Sequence, residues 1–238
     1  MLDRYDYVHL LTYRRTHLWF TQNSEVHVPL LLEKYGDGRF RHVYLDCSKV
    51  FHRIFYARLE EDVKEFGTHL ALLVCLGCKL AMHACTIVYN IENRIRTSAV
   101  GSRLESKLYP AQMRPVKERI EQMYRDYGMD IVSPVYDAVD TDEIIYAKGL
   151  TRKKDLKRQF LFYDTQPTCF YGGVAYVYSR CFYAPLFGDE AREEDSIRYF
   201  EAKRGVVDEI VRDHFASVED GGKLLAQWRA PSPGGTVA

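Results

Sequence analysis

The sequence predicts a mainly α-helical protein with a small β component (α+β), built around one long central apolar helix. Two observations favour helices: an apolar run over residues 70–89, and apolar residues repeating every three or four positions on both sides of it. Short alternating segments bounded by glycine supply the β component. The chain has 238 residues, of which 47% are hydrophobic, so it is long enough and apolar enough to bury a core.

The N-terminal segment, residues 1–48, is predicted to be β-rich and irregular. The Gly-Asp-Gly sequence at 36–38 predicts a turn, and residues 40–45 alternate well enough to form a strand. Asp3 and Asp6 lie in the first residues, and no apolar stretch follows a basic one there. We therefore expect neither a secretory signal nor a transit peptide at this end.

Residues 49–128 are predicted to form a helical core. Ser48 is expected to cap a helix that continues to Phe66 and is broken by Gly67. Apolar residues spaced three or four apart give this helix one face to bury. That face consists of Phe51, Ile54, Phe55, Leu59 and Val63.

Two further helices complete the predicted core. The apolar run is expected to belong to a long helix over 68–108, which Pro110 would end. Pro115 is a favourable first-turn residue for the next helix, and Gly128 is expected to stop it. The apolar positions of that helix are Ile120, Met123, Tyr124 and Tyr127.

The few polar and small residues of the apolar run are not scattered. Helical spacing places Lys79, His83 and Thr86 on one stripe. A neighbouring face carries a ladder of small residues, Gly77, Ala81 and Cys85, which would let another helix approach closely. Both patterns predict that this helix packs against a partner.

Two interpretations of the run stay open. Twenty helical residues rise about 30 Å, the thickness of a bilayer core, so the helix is a candidate for a single transmembrane span. In that case Lys79 and His83 would face protein or water, and Arg94 and Arg96 would lie at the lipid head groups. Otherwise it is the buried helix of a soluble domain, and Lys79 and His83 point into a polar cleft.

Residues 129–188 are predicted to be an aromatic-rich loop and hairpin segment. Asp140 and Glu143 fit a helix cap better than a metal site. The basic run at 148–158 fits a solvated helix face, or a surface for lipid head groups or nucleic acid. Two glycines followed by residues 174–178 suggest a turn and a strand. An extended arm laid across a partner is the alternative to the hairpin.

The last segment, residues 189–238, is predicted to hold the C-terminal helix and a tail. A helical pattern covers 189–218, and Gly205 is expected to kink or split it. Another helical turn is expected over 223–228. The tail at 231–238 is rich in proline and glycine, so order there would require an external partner.

Six cysteines are too few for a disulfide scaffold in a chain of this length. Pairing of Cys75 with Cys85, and of Cys169 with Cys181, is an alternative to the preferred interpretation of buried free thiols. A zinc site from Cys75, Cys78, His83 and Cys85 is disfavoured, because the segment is a continuous apolar run without a polar loop.

No catalytic, cofactor or metal site is predicted, because the chain lacks the phosphate-loop, dinucleotide-binding, nucleophile-elbow and zinc-protease motifs. The formal net charge of zero argues against a protein that mainly coats nucleic acid. We therefore expect a non-catalytic accessory or structural subunit of a large multi-protein assembly, with other subunits and membrane lipids as partners. The expected location is an energy-transducing complex of the mitochondrial inner membrane, of the respiratory-chain or ATP-synthase type.

Two other functions are weighed against this one. The first is a soluble α+β hydrolase or nuclease, cytoplasmic, with a cleft lined by Lys79 and His83. The second is an RNA-associated subunit of a ribosome-like particle that uses the basic run at 148–158.

Overall fold

The computed structural model describes residues 5, 7–14, 22–102, 109–138, 141–150 and 177–229. The chain folds as two compact units. The first joins Met1–Lys49 to Ala138–Gly173, and the second joins Val50–Asp137 to Val174–Ala238. The chain thus leaves each unit and returns to it, and the predicted segment 129–188 is divided between the two.

The first unit contains a strand–helix–strand motif. Strand β1 (Val8–Arg14) pairs in parallel with β2 (Phe40–Asp46), and helix α1 (Gln22–Tyr35) lies between them in sequence. Parallel strands need such a crossover, because a tight turn can join only antiparallel neighbours. The predicted strand at 40–45 is confirmed, and the segment predicted to be β-rich and irregular also contains helix α1. Pro29 lies inside α1, and proline disfavours helix in the residue before it.

The first unit continues with helix α6 (Thr141–Ala147), a short helix at the predicted position. Two side chains of α1 bond to the backbone just after it. His27 Nδ1 donates to the carbonyl oxygen of Leu150 at 2.7 Å, and Lys34 Nζ donates to that of Lys148. These bonds join parts of the chain that are more than a hundred residues apart, and so close the unit.

The predicted helix from Ser48 to Phe66 is interrupted. Helix α2 (Ser48–Ile54) and helix α3 (Leu59–Phe66) are separated by a 3₁₀ turn at Tyr56–Arg58. The cap is also different: the Ser48 N–H donates to Oδ1 of Asp46 at 2.8 Å, so the capping side chain is that of Asp46.

The interruption changes which residues are buried. Phe51, Ile54 and Phe55 are buried as predicted, but Leu59 and Val63 are exposed. The tighter 3₁₀ turn rotates the helical face by a fraction of a turn, so that α3 buries Asp62 and Phe66 instead. The predicted continuous stripe is therefore wrong over its second half.

The apolar run forms helix α4 (Leu70–Asn93), which follows Gly67 as expected. It does not extend to 108, because Arg94 adopts the left-handed conformation with φ of 57°. The N–H of Ile95 then bonds to the carbonyl oxygen of Asn90 at 2.8 Å, which closes a Schellman cap. Strand β3 (Thr97–Ala99) follows directly. The prediction of a helix over 68–108 is thus wrong after residue 93.

Among the described residues, the second unit contains three more α-helices and a second parallel strand pair. Helix α5 (Arg114–Asp126) has Pro115 in its first turn, as predicted. Strand β4 (Asp130–Val132) follows it and pairs with β3. The last two helices are α7 (Ala184–Ala216) and α8 (Gly221–Arg229).

Helix α7 differs from its prediction at two glycines and at its start. The helix is kinked at Gly188, where φ is 81° and ψ is 172°, and passes Gly205 without interruption. A π-helical turn, Ser179–Tyr183, leads into it. Val177 and Tyr178 are helical too, so the predicted strand at 174–178 is wrong at its described end. The rest of that strand, the basic residues 151–158 and the tail lie outside the described residues.

Helix α4 is the centre of the second unit. It contacts α7, α8 and the 3₁₀ turn at Pro110–Gln112. Fully buried side chains of α4, α5 and α7 form the core. They include Leu73, Leu76, Leu80, Ile87 and Ile91 of α4, Val116 and Tyr124 of α5, and Val207, Val211 and Phe215 of α7.

A buried ion pair joins α3 to α7. Lys203 Nζ lies 2.6 Å from Oδ1 of Asp62, and the two side chains are only 2% and 6% exposed. Oδ2 of Asp62 has no hydrogen-bond partner among the described residues. Burial raises the pKa of Asp62 although the Lys203 ammonium opposes that shift. The pair therefore adds little to the free energy of unfolding by itself, whereas removal of one member would leave the other buried without a counter-charge.

We expect Lys203→Met to lower the free energy of unfolding by about 3–5 kcal/mol at neutral pH, because Asp62 would remain buried without a counter-charge. The pKa of that carboxyl rises further in the folded variant, so the neutral form is the one the fold tolerates. The contribution of the neutral Asp62 carboxyl to the variant's stability is fully present at low pH and is lost as the pH rises towards the folded-state pKa of Asp62. Urea unfolding should therefore show a smaller loss at pH 5 than at pH 8.

The matched control is Lys223→Met, since the Lys223 side chain is 79% exposed in its pair with Asp220. It should change stability by less than about 1 kcal/mol. An equal loss at both pH values for Lys203→Met would contradict the role given to Asp62.

Candidate functional site

The polar stripe of α4 is divided between separate environments. His83 is buried, and its Nδ1 is hydrogen-bonded to the Tyr124 hydroxyl at 3.0 Å. Burial, with a contribution from the Lys79 charge, lowers the pKa of His83 to about 3, so the imidazole is neutral near pH 7. Thr86 donates to the carbonyl oxygen of Met82 within the helix. Lys79 is half-buried, and the loss of water around its ammonium group lowers its pKa.

A small cavity adjoins His83, but it is no substrate cleft. Its volume is about 10 Å³, enough for roughly one water molecule, whereas ligand pockets measure about 300–1,000 Å³. Lys79 is not among the lining residues, so the predicted cleft shared by Lys79 and His83 is not formed here. The polar lining consists of His83, Ser102, Lys117, Glu121 and Ser133.

The small residues of α4 lie at different depths in the packing. Gly77 and Ala81 are buried, and Cys85 is half-buried. A Cβ atom placed on Gly77 would lie 2.8 Å from the Tyr199 hydroxyl and 3.5 Å from Cδ2 of Phe55. At Gly77 the helix that approaches closely is therefore α7 of the same chain.

The two arginines after α4 have structural positions. Arg94 is exposed at the helix end. Arg96 stacks on the Trp228 ring, with its guanidinium carbon 3.6 Å from the ring centroid. It also donates to the carbonyl oxygens of Gly128 and Trp228, at 2.9 and 3.2 Å. Arg96 thus ties α8 to the strand that follows α4.

The membrane interpretation of α4 is weakened by its surroundings. Over Leu73–Asn93 the helix has a mean hydropathy of 1.4 and is long enough to cross a bilayer. However, 72% of this apolar window is buried inside the chain itself. A core helix of a soluble protein has the same length and composition, and its burial favours that interpretation.

The described cysteines form no disulfide with one another. Cys47, Cys75, Cys78, Cys85 and Cys181 carry thiols, and Cys169 lies outside the described part. Cys75 and Cys85 are on one helix, about 15 Å apart along its axis, so they cannot form a disulfide. Within the described ranges, no three histidine, cysteine or acidic side chains are grouped to hold a metal ion.

Folding brings together a cluster that the sequence did not predict. His69 ends the 3₁₀ turn before α4, and its Nδ1 donates to Oδ2 of Asp195 on α7. The Tyr183 hydroxyl donates to the same oxygen at 2.9 Å. Arg198 donates to Oδ1 of Asp195 at 3.3 Å and reaches Glu65 at 3.5 Å. Asp195 is the common acceptor that holds these side chains in place.

Tyr183 is the inner member of this cluster. Its side chain is fully buried, and burial together with the Asp195 carboxylate raises the pKa of the Tyr183 hydroxyl. The hydroxyl therefore stays protonated at any ordinary pH and can always donate to Asp195. This bond fixes the orientation of a ring on which other aromatic rings rest.

Those rings form a continuous chain at the start of α7. Tyr178 contacts Phe182 and Tyr183, with ring centroids 6.2 and 6.3 Å apart. Phe187 contacts Tyr183 at 5.1 Å and His69 at 4.9 Å. We call residues 177–187 the α7 head.

The α7 head is apolar on its outside as well. Four of its large apolar side chains face solvent, with exposed fractions of 50–72%: Val177, Phe182, Leu186 and Phe187. Several exposed apolar side chains of this size on one short segment are typical of surfaces that bind another molecule. The sequence had one signal for this surface, namely the aromatic surplus that suggested an arm contacting a partner.

Comparisons of this chain with known protein families, with curated proteins and with solved structures find no match. Its function must therefore be inferred from the geometry described above.

We expect Gly77→Ala to lower the free energy of unfolding by about 1–3 kcal/mol, because the new methyl group would force the buried Tyr199 ring to move. The Tyr199 hydroxyl has no hydrogen-bond partner among the described residues, so Tyr199→Phe should cost little by itself. In the Tyr199→Phe background the alanine should be tolerated, and the higher helix propensity of alanine should then dominate.

A double-mutant cycle from urea unfolding measures this coupling. Additive effects of the two substitutions would show that the Tyr199 hydroxyl is not what excludes a side chain at position 77.

Proposed function

We propose that this chain is a non-catalytic subunit of a larger multi-protein assembly and that the α7 head is its binding surface for a neighbouring protein. The observation that carries the proposal is the solvent exposure of Val177, Phe182, Leu186 and Phe187 on one short segment. Burying one such side chain at an interface is worth about 1.5–3 kcal/mol. Phenylalanine in particular is enriched in protein interfaces.

The internal bonding of the head supports the same proposal. A surface that is already ordered before binding loses less conformational entropy when a partner arrives. Asp195 fixes Tyr183 and His69, and Phe187 rests on both of their rings. These contacts therefore hold the backbone that carries the exposed side chains in one conformation.

The proposal treats α4 as the core helix of the second unit. Its burial against α7, α8 and the turn at Pro110–Gln112 supports this choice. The expected location, an energy-transducing complex of the mitochondrial inner membrane, stays a prediction. If the assembly is a membrane complex, this subunit would be held to it by protein contacts.

Alkaline carbonate washing of membranes from cells that express the tagged chain tests this treatment of α4. We expect the chain in the supernatant, because most of the apolar window of α4 is buried inside the chain's own fold and little of it is left to contact lipid. Retention in the membrane pellet, together with an integral membrane marker, would instead identify α4 as a span.

Native gel electrophoresis of the tagged chain in its own cells tests the binding surface. We expect the wild-type chain in a species much larger than its own 27.8 kDa. Leu186→Glu should lower the assembled fraction about tenfold or more, since each 1.4 kcal/mol of lost binding energy is a factor of ten. The side chain at 186 is 72% exposed, so the substitution should leave the fold intact.

Val63→Glu is the matched control, because Val63 is an exposed apolar residue on α3, outside the head. It should leave the assembled fraction unchanged. A wild-type chain that migrates as a monomer, or an equal effect of both variants, would contradict the proposal. Circular dichroism of the purified variants checks that they remain folded.

A further inference from the structure

We propose that the α7 head binds a cationic amphipathic segment of another protein, one that carries apolar side chains flanked by lysine or arginine. This inference rests on the proposed function and adds the chemistry of the partner to it. It is carried by the charges that directly follow the head in α7.

Exposed carboxylates directly follow the head in the sequence. Glu190, Glu193 and Glu194 are exposed on the first turns of α7 after Gly188, and none of them forms an ion pair with another described residue. Arg192 lies among them in the sequence, but its side chain is only 2% exposed. The exposed charges described on these turns are therefore acidic.

Asp195 and Glu65, the other described carboxylates beside the head, already have partners. Asp195 is bonded to His69 and Arg198, and Arg198 also reaches Glu65. The three glutamates have no such ion pair among the described residues. A segment that covers the head would bring its flanking charges close to them.

The aromatic rings favour the same kind of partner. Phe182 and Phe187 expose about half of their surface, and the face of an aromatic ring attracts an arginine or lysine cation placed over it. The exposed rings and the carboxylates that follow them in the sequence thus both attract cationic side chains. Together they would fix the register of the bound segment.

Charge also decides between the possible occupants of this surface. In a two-fold pairing of two heads, the glutamates of one copy would lie against those of the other, and like charges in an interface are costly. An anionic lipid surface would be repelled for the same reason. A basic protein segment can instead satisfy the apolar side chains and the carboxylates at once.

Two synthetic peptides test the proposal against the full chain. Both have 18 residues with leucine on one helical face, and the other face carries lysine in the first peptide and glutamate in the second. Fluorescence anisotropy should show the lysine peptide binding at least tenfold more tightly than the glutamate peptide. The preference should shrink as salt is raised, because the attraction is between exposed charges.

Charge reversal locates the site. The triple variant Glu190→Lys, Glu193→Lys, Glu194→Lys should bind the lysine peptide at least tenfold more weakly and the glutamate peptide more tightly. The control variant Glu209→Lys, Glu219→Lys changes exposed glutamates outside this surface and should leave both affinities unchanged. Leu186→Ala should weaken both peptides, because it removes apolar contact and no charge.

Equal binding of the two peptides, or an unchanged preference in the triple variant, would overturn the inference. Tight binding of the wild-type chain to phosphatidylserine vesicles would also overturn it, if the triple variant bound these vesicles no more tightly. The native gel separates this outcome from failure of the proposed function. If Leu186→Glu leaves the assembly and the charge-reversed variant stays in it, the head is the binding surface but its partner is not cationic.

Discussion

The need to keep α4 out of water organises the second unit. Each leucine or isoleucine left exposed on this helix would forfeit about 1.5–3 kcal/mol of burial energy, and helices α7 and α8 pack against it. Close packing against α7 requires glycine at position 77, where a methyl group would meet Tyr199. The same packing carries Asp62 and Lys203 into the interior, and there each is tolerated only with the other. The glycine and the ion pair are thus two results of one packing requirement.

Features that depend on neighbouring residues could be predicted from the sequence. The apolar run forms a helix, Gly67 precedes it, and Pro115 lies in the first turn of α5. The end of α4 could not be predicted, because Arg94 takes a left-handed conformation that usually requires glycine. The turn that separates α2 from α3 has no proline or glycine to mark it either, so the face beyond it was assigned to the wrong residues.

The candidate site shows a different limit of sequence reasoning. Lys79 and His83 stand out because they interrupt an apolar run, yet folding buries His83 beside Tyr124, and the cavity that the described residues form next to it has the size of one water molecule. His69 and Asp195 lie 126 positions apart and have no local pattern to connect them. Their pairing follows from the packing of α7 on α4. Aromatic residues in the 159–187 stretch were visible in the sequence, but which of them stay exposed is decided only by that packing.

The kink at Gly188 divides the helical segment into two parts with different structural roles. Beyond it, the buried side chains of α7 are constrained by packing against α4. Before it, the described side chains of residues 177–187 contact the interior chiefly through Tyr183, so their outer positions are free of that constraint. Phe182 and Leu186 could therefore be substituted during evolution without loss of fold stability. Such substitutions would change the binding partner and leave the rest of the structure intact.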